Sequence, residues 1–248
     1  MLIRIKDAVI GLFVVVSFGA LIFMVYHFET EKGHRNLAKR IIGLSSRGGP
    51  PQTIEGLKEA IALYERQIEF NVRTGAQTGA YWKILAIRLA DRGMHKDALE
   101  AFDRALYFNA DDPTLFYLTG ESASVAAAST VGFKENAAVE RTHYQNLAES
   151  SYLRAIQLDP TYAKPKLGLG LLYTFDMDRP AEAIPHLEKY LQIVPGDISG
   201  MFILARAYFM TGDNDRAVEL YDRIIYRSKD PKVRTEAQNN REFIRNMN

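Results

Sequence analysis

The hydrophobic positions divide the chain into two regimes. From Ala8 to Phe28 it reads AVIGLFVVVSFGALIFMVYHF, without a single Asp, Glu, Lys or Arg. A helix of that length rises about 30 Å, the thickness of a bilayer's hydrocarbon core. Arg4 and Lys6 precede the run, and Tyr26 and His27 sit where an interfacial belt would lie. The pattern predicts a short basic head (1–7), an uncleaved transmembrane anchor (8–28) and a juxtamembrane helix and linker (29–52). Beyond residue 53 the apolar residues are spaced for amphipathic helices that alternate with short turns.

The helical part repeats. A small residue, an aromatic or Leu four positions on, and a small or apolar residue three further recur as Ala98–Phe102–Ala105 and Ala148–Tyr152–Ala155. Looser copies are Ala183–Leu187–Tyr190 and Ala217–Tyr221–Ile224, with Ala60–Tyr64–Gln67 as an earlier, weaker one. The leading alanines step by 38, 50, 35 and 34 residues. A companion pattern precedes them: Trp82–Leu85–Ala86–Leu89 then Gly93, Phe116–Gly120, Leu167–Gly168–Leu171, and Met201–Leu204–Ala205–Tyr208 then Gly212.

The period near 34 and these two motifs resemble the tetratricopeptide repeat. The resemblance covers residues 53 to 230 and implies an all-α fold, a right-handed superhelical solenoid of antiparallel helix pairs. The small residues let paired helices approach, and the aromatics fill the space between one pair and the next. Gly93 and Gly212 are expected to end first helices in the left-handed region. Residues 231–248 read as a capping helix with a thin stripe of Val233, Ala237, Asn240, Ile244 and Met247. Leu37, Ile41, Ile42 and Leu44 are read as a helix packed on residues 53–70, completing a degenerate first unit. The step of 50 predicts an enlargement between Glu121 and Leu147, shared between two lengthened helices.

Composition narrows the chemistry. The 248 residues are 47% hydrophobic and 25% charged, with a formal net charge of +1, so no overall field draws the chain to nucleic acid. There is no cysteine, which excludes disulfides and thiolate catalysis. The five histidines show no metal-ligand spacing, and Gly168-Leu169-Gly170 lacks the third glycine of a dinucleotide loop. No enzyme, cofactor or metal is expected.

In the family, first helices line the binding face. Counting units from Gly79, Pro113, Thr161 and Ile198, the resemblance implies that this face carries Lys83 and Ile87, then Tyr117, Glu121 and Val125. The third unit contributes Tyr162, Leu169, Leu172 and Tyr173, and the last Phe202, Arg206, Phe209 and Met210. Aromatic residues around one cation suit a peptide with an acidic group. Chaperone-binding members hold a terminal carboxylate with Lys and Asn. Lys83 fits, but Ile87 and Leu169 do not, so that ligand is not expected. The expected function is a membrane-anchored scaffold for a protein or peptide partner; the alternative is a small-ligand carrier of the cell envelope. The short basic head predicts a bacterial inner-membrane protein with an extracytoplasmic body, against the pull of Lys32, Arg35, Lys39 and Arg40 beyond the anchor. Gly11 and Gly19 share one face of the anchor, which leaves homo-oligomerisation open.

Overall fold

The computed structural model describes Lys39 and residues 53–130 and 136–247. The expected anchor, the juxtamembrane helix and its apolar stripe lie outside these residues. Among the described residues no helix is long and apolar enough to cross a membrane. The chain forms two compact units, Met1–Thr74 and Gly75–Asn248.

The described residues form helices and no strand. They are α1 (Ile54–Asp91), α2 (His95–Phe108), α3 (Pro113–Ser129), α4 (Ala137–Leu158) and α5 (Ala163–Leu171), followed by a π-helical turn (Leu172–Asp176). Then come α6 (Pro180–Ile193), α7 (Ile198–Met210), α8 (Asn214–Arg227) and α9 (Pro231–Arg245).

Starts and stops follow local chemistry. Asp112, Asp197, Asp213 and Asp230 accept hydrogen bonds from backbone N–H groups at the starts of α3, α7, α8 and α9. Pro113, Pro180 and Pro231 occupy first turns, where the missing N–H costs nothing. Gly93 and Gly212 take φ of +76° and +82°, as expected.

One expected break is absent. The segment Ala60–Tyr64–Gln67 and the Trp82 helix belong to a single 38-residue helix, α1, about 57 Å long. No proline interrupts it, and Gly79 is not a turn. A Cβ there would lie 2.7 Å from Phe108 Cβ and 2.3 Å from Asn109 Nδ2, so glycine admits the end of α2. Tyr64 is 42% exposed, unlike the buried aromatic of a repeat.

Within the second unit, consecutive helices pair as hairpins, and first helices α3, α5 and α7 touch in turn. Its main core runs from Ala123 to Ile244 through Tyr152, Leu187, Met201 and Tyr221. A smaller cluster holds Ala86, Ala98, Phe102, Ala105 and Leu115. The enlargement takes the expected form: α3 and α4 have 17 and 22 residues, against 13 and 14 in α7 and α8. Tyr152 sits between units. Cβ atoms added at Gly120 of α3 and at Gly168 of α5 would each come within 2.6 Å of its ring.

Candidate functional site: the face of the first helices

Each repeat's first helix has a phase fixed by which small residue meets its own second helix. In α3 that residue is Gly120, against Tyr152 of α4; in α5 it is Gly170, whose Cβ would lie 2.2 Å from Leu187 Cδ2 of α6. The count for the third unit therefore begins two residues later than Thr161. The helix itself starts there: α5 begins at Ala163, as α3 and α7 begin at their counted residues Pro113 and Ile198, and the π-helical turn follows only at Leu172–Asp176.

The shift corrects the third unit. Leu169, Leu172 and Tyr173 are 0%, 1% and 3% exposed and belong to the core. The Tyr173 hydroxyl donates to Glu149 at 2.7 Å, and the Arg179 guanidinium lies 4.7 Å from its ring centre. In their place Lys164, Leu171 and Phe175 reach the face, with Leu171 and Phe175 41% and 56% exposed. The sequence signal that could have found them is Gly170, three residues after Leu167.

The other units keep their expected register. Lys83 is half-buried and bound to Asp112 at 2.8 Å, so the charge expected for a partner is spent on the cap of α3. Burial opposes the charge on Asp112, yet the Lys83 ammonium and the α3 backbone N–H groups hold its carboxyl below the usual range. Ile87 packs against the smaller core. Tyr117 is half-buried, its ring 5.3 Å from Tyr162 and 6.2 Å from Tyr152, with the Lys164 ammonium 5.6 Å from its centre. Burial, then Glu121, raises its hydroxyl far above the ordinary range. Glu121 and Val125 are exposed.

In α7, Phe202 rests on Tyr221 at 5.9 Å and Phe209 on Phe243 at 6.1 Å, so both rings are partly structural. Arg206 is exposed above Phe209, 5.5 Å from its centre, and among the described residues no carboxylate pairs with it. Met210 is 36% exposed.

With the phase corrected, one position repeats. Val125, Phe175, Met210 and Phe243 occupy equivalent places on α3, α5, α7 and α9, and are 44%, 56%, 36% and 59% exposed. The expected capping helix α9 thus also continues the first-helix row. A separate cleft of about 460 Å³ lies among α2, α3 and α4, lined by Leu99, Leu106, Phe116 and Leu147 with Asp103 and Arg154. Among the described residues no cluster of His, Asp or Glu could hold a metal ion.

The family model described as tetratricopeptide repeat matches residues 174–235. That segment, residues 174–235, carries the tetratricopeptide-repeat pattern. No curated protein matches the sequence. Among solved structures, the thermophilic tetratricopeptide-repeat protein TTC0263 of Thermus thermophilus is 19% identical, with a TM-score of 0.52 over 83% of this chain and 97% of that one. MamA is 20% identical over 77% of this chain and 98% of its own, with a TM-score of 0.49. MamA from Desulfovibrio magneticus is 13% identical over 68% and 94%, also at 0.49. At these identities the likeness to TTC0263 concerns the fold alone. Tetratricopeptide-repeat proteins are in general interaction scaffolds.

Proposed function

We propose that this tetratricopeptide-repeat protein is a membrane-anchored scaffold that holds a peptide or protein partner along its first helices. The observation that carries the reading is the exposed apolar row of Val125, Phe175, Met210 and Phe243, beside the carboxylate-free Arg206. Apolar side chains at one repeated position face a partner that presents apolar groups at regular intervals. Arg206 adds a preference for an acidic one. The apolar run 8–28 supports attachment to a membrane, and the basic head supports an extracytoplasmic body.

The test is photo-crosslinking in membranes, with a photoreactive phenylalanine placed at Phe175, Met210 or Lys189 in turn. Adducts at 175 and 210 but not at 189, lost on Arg206→Glu, are expected. Adducts at 189 alone would move the binding surface to the second helices.

A further inference from the structure

The first unit carries a second apolar surface, independent of that row. Along α1, Ile54, Leu57, Ile61, Tyr64, Ile68 and Val72 follow at spacings of three and four and share one side of the helix. They are 42% to 67% exposed. The other side of the same stretch is covered, with Ala60 and Leu63 buried. From Ile54 to Ile68 the spacings alternate three and four, the seam spacing of a two-stranded coiled coil.

The two flanks of the stripe differ. One carries Lys58, Glu65 and Glu69. The other carries Gln67 and no charge; the Gln67 amide donates to Asn71 at 2.9 Å. Among the described residues no carboxylate pairs with Lys58 and no cation with Glu65. Glu69 is bound by Arg73 at 2.5 Å on the exposed surface.

We infer that this stripe pairs with the same stripe of a second copy, antiparallel. In a two-fold antiparallel pair each flank meets its own equivalent. The charged flanks then face one another, and Lys58 stands opposite the partner's Glu65 and the partner's Glu69. Leu57 stacks against the partner's Ile68, Ile61 against the partner's Tyr64, and Ile54 against the partner's Asn71. A parallel pair sets the charged flank against the uncharged one and leaves Lys58 without a carboxylate. The occupant is not an anionic membrane, since residues 53–74 hold four Glu against one Lys and two Arg.

The chain has no cysteine, so single Cys variants report contacts directly. The full chain is expressed in its membrane as differently tagged Lys58→Cys and Glu65→Cys copies, then treated with a short bis-maleimide. The mixed adduct should exceed the Lys58→Cys self-adduct at least fivefold. Ile61→Asp with Ile68→Asp should abolish it while helicity is kept, because both side chains are exposed. Lys58→Glu in the Glu65→Cys copy should reduce it at least threefold, and adding Glu65→Lys and Glu69→Lys to the Lys58→Cys copy should restore it. Absence of any adduct, a self-adduct of equal strength, or an adduct unaffected by the two Asp substitutions overturns the pairing. So does a chain that stays monomeric and binds lipid vesicles through the stripe.

Discussion

Tyr152 gives the sharpest quantitative test of how the repeats stack. Its ring is 3% exposed and is met from two first helices, at 2.6 Å from a Cβ built on Gly120 or on Gly168. Ordinary van der Waals contact begins near 3.4 Å, so either Gly→Ala change displaces the ring by nearly an ångström, and a ring pushed from α3 meets α5. Overpacking of this kind costs about 3 kcal/mol at the upper end. Replacing a helical glycine by alanine returns about 1 kcal/mol of backbone propensity. Gly120→Ala should therefore destabilise by about 2 kcal/mol, a melting temperature lower by roughly 4–8 °C for a body of this size. The control is the same change on Tyr152→Leu, whose side chain leaves room. There the propensity gain stands alone, and Gly120→Ala should be neutral or stabilising by up to about 1 kcal/mol. Urea denaturation of the four proteins followed by circular dichroism, with slopes compared, measures the coupling. Additive effects, or a Gly120→Ala protein more stable than the parent, would refute the clamped-ring geometry.

Three further outcomes are expected. At Gly93 and Gly212 an added Cβ meets nothing within 4 Å, so Ala there should cost only the left-handed backbone penalty of about 1–2 kcal/mol, insensitive to neighbouring substitutions in urea melts. Burial, followed by the carboxylates of Asp197 and Glu188, pushes the Tyr190 and Tyr208 hydroxyls up to about 12. Unfolded tyrosines titrate at about 10, so this stability is complete below that pH and disappears as pH rises through about 12. Tyr208→Phe should flatten the fall in urea midpoint between about pH 10 and 12, and an unchanged slope counts against the Glu188 contact. Deleting residues 231–248 uncovers Ile224 and Tyr221, now 0% and 4% exposed, and breaks the Arg241–Asp222 ion pair at 2.6 Å. The truncated chain should aggregate by light scattering; a monodisperse, stable product would show that α9 is dispensable.

Helix identity, pairing and period were legible along the chain because they rest on local rules. Small–aromatic–small spacing, Asp and Pro at helix starts, and Gly93 and Gly212 at helix ends each act within a few residues. The lengthening of α3 and α4 was legible for the same reason, from the step of 50 and the absence of strong breakers. Which residues reach the binding face depends instead on rotation of each first helix against its second. For α3 and α7 the helices start where the count starts, and Glu121, Arg206 and Met210 are exposed, with Tyr117, Phe202 and Phe209 half-buried. For α5 the count starts two residues early: the helix begins at Ala163 rather than Thr161, which puts Leu172 and Tyr173 in the core and brings out Leu171 and Phe175. The same limit applies to α1. Gly79 is the counted start of a unit, yet it lies inside an unbroken helix and lets Phe108 and Asn109 pack against it. Hydrophobic spacing determines that a helix has an apolar face. Only the close approach of backbones in three dimensions decides which neighbour that face meets.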